Sequence, residues 1–270
     1  MAESSTNKNK ARASKYSSDE EEENRNIDLG LSMKSLSLGP KKKLLIMGIG
    51  GFLCHRVCYR YRRETIPKHR HPDASYGSFY VYKRPFCEDF MKFCLERFEV
   101  GIWSSAKELV ILKLILTKPA LDSIMHGLRR KLLFAWDQGK CTKTCFFDLE
   151  KKFKPIFLKE LKKVWEGNGV GISRPSTQFC SSNTLLIDNE PYKVLLNPPH
   201  TAIFPKEYKA DDIDDDALGA GSELRRFLEK VAEAKDVPNF IKHNPFGNPP
   251  ISPYHPNWDY YSKIISTYEK

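Results

Sequence analysis

Short runs of consecutive apolar residues alternate with longer amphipathic segments along most of this chain. The runs Leu44–Met47, Glu99–Trp103, Thr184–Ile187 and Thr201–Phe204 are too short for helices and are bounded by glycine, proline or polar residues. Continuous apolar runs of this length are typical of strands that are buried on both faces. Because helical segments separate these runs, the pattern predicts an α/β fold, with a mainly parallel central sheet and helices on both faces.

Other segments have the spacing of amphipathic helices. They are a helix from Pro85 that carries Phe86, Phe90, Phe93 and Phe98 near one face, a helix starting near Ala106, a helix segment over Phe157–Trp165, and a late helix over Ser222–Ala234. Leu132–Trp136 and Cys145–Phe147 have the pattern of two strands, and we interpret them as a small β insertion around Asp137–Thr144. The stretch Pro238–Trp258 contains many proline and asparagine residues, so we expect it to be extended.

Composition divides the chain into three parts. Residues 1–39 are rich in serine, lysine and glutamate and contain few large apolar groups, which predicts a disordered tail. A domain over residues 40–235 follows, and residues 236–270 form a C-terminal extension. Within the domain, Cys54–Ser78 is rich in arginine, histidine and tyrosine and is predicted to be a solvent-exposed flap. His55, His69 and His71 lack the spacing of a zinc site.

Charge and cysteine content narrow the class of protein further. The net charge of +10 suggests an anionic partner, but the basic residues are spread out and give no direct nucleic-acid signature. The seven cysteines are an odd number at irregular spacing, which favours reduced and mostly buried thiols. The longest uncharged apolar stretch, Leu44–Cys54, is too short to span a bilayer. Because the acidic run Asp19–Glu23 does not fit a targeting peptide, we expect a protein of the nucleus or cytoplasm.

Candidate functional residues follow the predicted buried strands. Gly48 and Gly50 follow the first strand, Ser104 follows the second, and Asp188 with Asn189 follows the third. The carboxyl ends of parallel strands meet at one edge of a sheet, so these residues should gather there. Lys159 lies on a predicted helix nearby. A hydroxyl, a lysine and a carboxylate suit phosphoryl chemistry, but this set contains no nucleophile.

Four segments in a fixed order carry a resemblance to a known family. They are KRPFCEDFMKFCLERFEVGIWSSA (83–106), LLFAWDQGKCTKT (132–144), PIFLKELKKVW (155–165) and NTLLIDNEPYKVLLNPPHTAIFP (183–205). They resemble the FCP1-homology domain, the phosphatase domain of RNA polymerase II C-terminal-domain phosphatases and NLI-interacting-factor proteins. The chain resembles the plant members in particular. The resemblance covers about Lys41–Ala234 and implies a HAD-like (haloacid dehalogenase) Rossmannoid fold.

The family's later motifs match this chain. The hydroxyl residue of its second motif falls on Ser104, and the lysine of its third motif falls on Lys159. The fourth motif is an acidic pair after a strand and falls on Asp188 and Asn189. The resemblance therefore implies that these residues line a remnant phosphatase pocket, in which Asp188 would be a weak magnesium ligand.

The family's first motif is degenerate in this chain. An Asp-x-Asp-Gly run should close the first strand, but both aspartates are replaced, by Gly48 and Gly50. In the family the first aspartate attacks phosphorus and helps to hold magnesium, and the second acts as the acid and base. Loss of both groups typically costs a factor on the order of 10⁴ or more. We therefore predict little or no phosphatase turnover and no cofactor, or magnesium if any activity or binding persists.

The segment Gly48–Phe52, here called the glycine loop, has three possible roles. A relocated nucleophile would need a carboxylate at the strand end, and none is present. A dinucleotide-binding loop would need a third glycine near Leu53. The interpretation we favour is an emptied catalytic loop, whose N–H groups at Gly48, Ile49, Gly50 and Gly51 bind phosphate together with Ser104 and Lys159.

The sequence therefore predicts a catalytically inactive phosphatase-fold protein, a pseudophosphatase, that binds a phosphoprotein or another protein partner as a scaffold. An active magnesium-dependent Ser/Thr protein phosphatase is the first alternative. A subunit of the mitochondrial inner-membrane presequence translocase, which carries a similar domain, is the second. That assignment would require a transit peptide and a membrane helix, which Met1–Pro40 does not supply.

Overall fold

The computed structural model describes residues 41–60, 65–76, 78–105, 131–150, 154–167 and 178–269. The predicted disordered tail over residues 1–39 and the predicted helix near Ala106 lie outside these ranges. Within them, no helix is long and apolar enough to cross a membrane, and no cluster of three or more His, Cys, Asp or Glu residues could hold a metal ion.

A five-stranded sheet in which all the paired strands are parallel forms the centre of the molecule. Its strands are β1 (Leu44–Met47), β5 (Glu99–Trp103), β6 (Phe134–Trp136), β9 (Thr184–Ile187) and β10 (Ala202–Ile203). They lie in the order β10-β9-β1-β5-β6. The predicted α/β fold with a mainly parallel sheet is confirmed, because the short apolar runs are buried strands.

Both faces of this sheet are covered, which explains why its strands are almost entirely apolar, with polar residues only at the first positions of β5 and β9, Glu99 and Thr184. Successive side chains of a strand point to opposite faces. Leu45 and Met47 therefore join one cluster of buried residues, and Leu44 and Ile46 join another. The first cluster includes residues of helices α1 (Cys87–Arg97), α3 (Glu223–Glu233) and α4 (Val237–His243), and the second includes residues of the short helix α2 (Lys162–Trp165).

The strand over Phe134–Trp136 does not belong to an insertion, as the sequence had suggested. It pairs in parallel with β5 and forms an edge of the central sheet. The small β element is instead an antiparallel hairpin of β7 (Thr142–Phe147) and β8 (Pro155–Leu158). A three-residue strand carries too little pattern to reveal its partner, and the 30 residues between β5 and β6 are long enough for a parallel crossover.

The helix predicted over Phe157–Trp165 forms only over its last four residues, and its first two residues belong to a strand. Phe157 and Leu158 are the last residues of β8, and the helix begins only at Lys162. Ile156 and Leu158 alternate with more exposed neighbours and are buried against α5 (Trp258–Tyr268), next to Tyr261 and Ile264. The apolar spacing of so short a segment fits both the periodicity of a strand and that of a helix, so tertiary packing decides which of the two forms. Lys159 therefore follows a strand and does not lie on a helix.

The predicted flap over Cys54–Ser78 is partly a sheet. Strands β2 (Cys54–Cys58), β3 (Ala74–Tyr76) and β4 (Phe79–Lys83) form an antiparallel sheet in the order β2-β4-β3. Cys54 and Val57 are buried among the charged residues of β2. Burial raises the pKa of the Cys54 thiol to about 12, so this thiol stays protonated at neutral pH. All seven cysteines are free, and four of them are buried.

The helix predicted from Pro85 begins two residues later, at Cys87. Phe90 and Phe93 are buried on one face and Phe98 is buried just after the end of the helix, as expected. Phe86 differs, because its backbone has a positive φ of 58° and its side chain is 52% exposed. A residue in the left-handed region cannot continue a right-handed helix, so Phe86 precedes the helix and does not join its apolar face.

The C-terminal region is more helical than its proline content suggested. Helix α4 begins at Val237, and Pro238 occupies its first turn, where a missing N–H costs nothing. Helix α5 then contacts the hairpin, where the Tyr268 hydroxyl accepts a hydrogen bond from the N–H of Cys145 at 2.9 Å. The late helix agrees with the prediction, since Ser222 caps α3 by accepting from the N–H of Arg225.

Candidate functional site

The candidate site lies where three neighbouring parallel strands end. Met47 at the end of β1 is in register with Ile187 of β9 and with Ile102 of β5. The next residue, Gly48, donates its N–H to the carbonyl oxygen of Ile187 at 2.8 Å. Asp188, which follows β9, is therefore beside Gly48, at the edge of the sheet where the sequence had placed both.

Lys159 reaches this edge from the end of β8. Asn197 holds its backbone, because the side-chain amide of Asn197 donates to the carbonyl of Lys159 and accepts from the N–H of Leu161, each at 2.8 Å. The N–H of Lys159 also donates to the carbonyl of Lys193 at 2.7 Å. These bonds fix the direction of a long side chain that would otherwise be flexible.

The side chains of Lys159, Asp188 and Lys193 form one buried ionic group, here called the lysine–aspartate cluster. The ammonium of Lys159 lies 2.5 Å from Asp188 Oδ2, and the ammonium of Lys193 lies 2.8 Å from Asp188 Oδ1. The side chains of Lys159 and Asp188 are each 1% exposed and that of Lys193 is 6% exposed. Each carboxylate oxygen of Asp188 therefore already accepts from an ammonium group.

The charges of the cluster hold one another in their ionised forms. Burial raises the pKa of the Asp188 carboxyl, but the Lys159 and Lys193 ammonium groups lower it, and its pKa lies below the usual range. Burial lowers the pKa of Lys193, but Asp188 and Glu190 raise it, and the pKa ends above its ordinary value. For Lys159 burial prevails, so its pKa falls despite the attraction of Asp188.

The pKa of Asp188 gives a prediction for acid solution. A carboxyl whose folded-state pKa is depressed stabilises the protein fully above its unfolded pKa, which is about 3.9, and this contribution is lost as pH falls through the folded value. We therefore expect the stability difference between the wild type and Asp188→Asn to shrink below about pH 4. Urea unfolding of both proteins from pH 7 downwards measures this difference. A constant difference down to acid pH would contradict the assigned ion pairs.

A chain of further ion pairs extends from the cluster towards the hairpin. Glu190 Oε2 lies 2.9 Å from the Lys193 ammonium, and Glu190 Oε1 lies 2.5 Å from the ammonium of Lys154. Lys154 in turn lies 3.6 Å from Asp148, whose carboxylate accepts from the Tyr192 hydroxyl. The cluster is therefore anchored to the two-stranded hairpin as well as to the central sheet.

The space beside Gly48 is filled by the cluster. A Cβ atom added at Gly48 would lie 2.9 Å from Asp188 Oδ2 and 3.4 Å from Lys159 Nζ. The first distance is shorter than normal contacts allow, so a larger residue would require Asp188 to move. Gly50 differs, because a Cβ there would meet nothing within 4 Å. The position after β1 is thus closed to a side chain at Gly48, whereas the space beside Gly50 is open.

The glycine loop does not have the structure of a dinucleotide-binding loop. It leads into strand β2 at Cys54, whereas that motif requires a helix after the glycines.

The backbone of the glycine loop is held by Gly51 and Asn189. Gly51 has a φ of +80°, which favours glycine. The Asn189 side-chain amide donates to the carbonyl of Gly50 at 3.0 Å and to Asp188 Oδ1 at 3.2 Å. Asn189 therefore ties the loop to the lysine–aspartate cluster.

Only part of the loop presents free N–H groups. Those of Gly48, Gly51 and Phe52 donate to backbone carbonyls, so they do not contribute to the predicted phosphate site. The N–H groups of Ile49 and Gly50 have no acceptor in the part of the chain that the structure describes. The backbone donors for an anion are thus reduced to these two.

Ser104 lies at the same edge, at the end of β5, and is buried. Its N–H donates to the carbonyl of Trp136 at 2.8 Å, which joins the ends of β5 and β6. The thiol of Cys141 lies 4.0 Å from the carbonyl oxygen of Ser104. Burial raises the pKa of Cys141, although Lys159 counteracts the increase. Cys141 is therefore a protonated thiol between Ser104 and the lysine–aspartate cluster.

The sequence did not single out Lys193, Glu190 or Asn197. Lys193 and Glu190 come close because Pro191–Val194 forms a short 3₁₀ helix directly after the strand-end pair. Pro191 opens this turn, and proline favours such positions. Pro191 is therefore the signal in the sequence that the chain turns after Asp188 and brings Lys193 back to it. Asn197 lies in a loop and gives no comparable signal.

Comparison with known families assigns the chain. The model of the NLI interacting factor-like phosphatase family matches residues 43–238. The chain therefore belongs to this family, and the family resemblance found in the sequence is confirmed. No curated protein matches the chain in a sequence comparison.

Two solved structures of a related phosphatase are similar to this chain. One is a variant of the fission yeast RNA polymerase II CTD phosphatase Fcp1 bound to beryllium fluoride, with 10% identity and a TM-score of 0.36. The other is Fcp1, described as an essential RNA polymerase II CTD phosphatase, with 12% identity and a TM-score of 0.37. Each match covers 91% of this chain, which spans 66% and 65% of the two structures.

Proposed function

We propose that this protein is a catalytically inactive member of its phosphatase family. The observation that supports this most strongly is the state of the position after β1. Gly48 offers no nucleophile. A Cβ there would lie 2.9 Å from Asp188 Oδ2, and the Asp188 carboxylate is already paired with the ammonium groups of Lys159 and Lys193. Gly50 offers no acid or base. Covalent phosphoryl transfer needs both groups, and no other residue supplies them among the described ones around the loop.

We further propose that the loop edge binds the phosphate group of a phosphorylated protein without cleaving it. The free N–H groups of Ile49 and Gly50 are donors of the kind that hold phosphate oxygens. The ammonium of Lys159 lies beside Gly48 and has three donors, of which Asp188 takes one. Lys159 and Lys193 share the one carboxylate of Asp188, although the whole chain of ion pairs, which continues through Glu190, Lys154 and Asp148, contains three lysines and three acidic groups and is balanced in charge.

Amide NMR spectroscopy tests this binding with free phosphoserine and with serine as its matched control. We expect millimolar phosphoserine to shift the amide signals of Ile49 and Gly50, and serine at the same concentration to leave them unmoved. Phosphoserine should also remain intact in the sample, as ³¹P spectra would show. Equal effects of the two ligands, or no shift at either amide, would contradict the proposed binding function.

A further inference from the structure

We propose that the Lys193 ammonium is a built-in substitute for magnesium, so that anion binding at the glycine loop does not depend on a metal ion. This inference rests on the proposed phosphate-binding function, which it makes more specific. The family resemblance implies a magnesium site at Asp188. The residues around Asp188 do not fit a magnesium site. The reason is the position of the Lys193 side chain, which is not among the motif residues that the resemblance assigns.

The ligands that a magnesium ion requires are already engaged. Magnesium prefers six oxygen ligands in a nearly ideal octahedral geometry. Asp188 is the remaining motif carboxylate, and its Oδ1 lies 2.8 Å from Lys193 Nζ while its Oδ2 lies 2.5 Å from Lys159 Nζ. Asp188 Oδ1 also accepts from the N–H of Glu190 at 3.1 Å. A metal ion could bind Asp188 only by displacing an ammonium group that is itself buried.

The neighbouring carboxylate does not supply a replacement. Glu190 Oε2 contacts Lys193 and Glu190 Oε1 contacts Lys154, so both oxygens face ammonium groups. Gly48 and Gly50 provide no carboxylate at all. A divalent cation would therefore face two buried lysines with a single shared carboxylate, an arrangement in which like charges repel strongly.

Lys193 is held in place, as a substitute cation must be. Its backbone is fixed on both sides, because its N–H donates to the carbonyl of Glu190 and its own carbonyl accepts from the N–H of Lys159. Its ammonium bridges Asp188 and Glu190 at 2.8 and 2.9 Å. Fixed in this way, the ammonium group occupies Asp188 Oδ1, the same carboxylate oxygen that the Asn189 amide joins to the carbonyl of Gly50.

Manganese, a paramagnetic stand-in for magnesium, tests the proposal on the wild-type chain without any ligand. We expect Mn²⁺ at micromolar concentration to leave the amide signals of Ile49, Gly50 and Asn189 unbroadened beyond the general effect on exposed amides. Selective broadening of these three signals would place a divalent cation at Asp188 and would overturn the proposal. This experiment needs no phosphate ligand. It therefore decides whether a divalent cation binds at Asp188 even if the proposed binding function fails.

Phosphoserine titrations in magnesium and in EDTA form the second arm. We expect the two dissociation constants to agree within about twofold. The free energy of a twofold change, RT ln 2, is well below the contribution that one ion pair with a bound metal ion would make. Phosphoserine binding that requires magnesium would agree with the proposed function but would contradict the proposal that the Lys193 ammonium substitutes for the metal ion. Binding in neither buffer would contradict the proposed function and, with it, the claim about anion binding, while the manganese experiment would still decide whether a divalent cation binds at Asp188.

Two substitutions at one position separate charge from shape. Lys193→Met keeps the length of the side chain but removes its charge, and we expect it to weaken phosphoserine binding in EDTA about tenfold, as for the loss of a charged hydrogen bond. Lys193→Arg keeps the charge and should retain at least half of the wild-type affinity. An unchanged affinity in a folded Lys193→Met protein would overturn the proposal. If Lys193→Met does not fold, the manganese experiment on the wild type still decides it.

Discussion

Replacing Asp188 with asparagine is expected to lower the free energy of unfolding by about 3–5 kcal/mol. The substitution preserves the shape of the side chain but removes the one charge that Lys159 and Lys193 share. Removing one partner of a buried ion pair is costly because the remaining charge has neither water nor a counter-ion. Here Lys159 would lose its carboxylate partner, and Lys193 would keep only Glu190. Urea unfolding at pH 7, followed by circular dichroism, measures the change.

The matched control is Asp89→Asn on helix α1. Its carboxylate lies 3.6 Å from Lys92 and is 67% exposed, so water already screens the pair. Exposed pairs of this kind contribute about 0–1 kcal/mol. If Asp188→Asn costs no more than Asp89→Asn, the lysine–aspartate cluster does not stabilise the fold as described.

Substitution of Gly51 by alanine is expected to cost about 2–5 kcal/mol, the sum of two penalties. A residue other than glycine pays about 1–2 kcal/mol in the left-handed region, and Gly51 has a φ of +80°. A Cβ atom there would also lie 2.6 Å from Asn189 Cγ, and overpacking of this kind costs roughly 1–3 kcal/mol. Because Asn189 ties the loop to the cluster, its displacement should also weaken phosphoserine binding.

Gly50→Ala provides the control one residue away. A Cβ at Gly50 would have no heavy atom within 4 Å, so we expect a change in stability of less than about 1 kcal/mol. Thermal unfolding of both variants gives the comparison directly. Equal melting temperatures for the two variants would show that the loop does not adopt the backbone described for Gly51.

The central sheet was predictable because its strands carry a strong and simple signal. β1, β5 and β9 are buried on both faces, and this burial produces continuous apolar runs that end at the residues of the candidate site. Once parallel pairing is inferred, the meeting of Gly48, Ser104 and Asp188 at one edge follows from topology alone. The candidate site was therefore located before any contact was known.

The errors have physical causes that are equally specific. Lys159 was placed on a helix because Phe157–Trp165 fits a helical spacing, although its first residues pair with β7 and pack on α5. Phe134–Trp136 was assigned to the wrong sheet because strand partners are set by long-range contacts. Pro238 suggested an extended chain but occupies the first turn of a helix. In the first two cases tertiary packing overrode a weak local pattern.

The family resemblance aligns the two aspartates of the first motif with Gly48 and Gly50, and the structure shows which side chains lie beside Gly48. The sequence shows glycine at both aspartate positions of the first motif, which predicts a loss of catalysis. It does not show that Lys193 returns to Asp188, because this contact depends on the turn at Pro191–Val194. The closing of the space beside Gly48 by Asp188 and Lys159 was therefore not predicted from the sequence, although Pro191 marks the turn that returns Lys193 to Asp188.

The most direct test of catalytic inactivity is magnesium-dependent hydrolysis of an aryl phosphate by the purified full chain. Asp188→Asn, assayed at a temperature at which it is folded, controls for contaminating phosphatases. We predict equal residual rates for the two proteins, at least about 10⁴-fold below those of a phosphatase with an intact first motif. Robust turnover by the wild type that is lost in Asp188→Asn would show that the protein is an enzyme, and would contradict the proposed function.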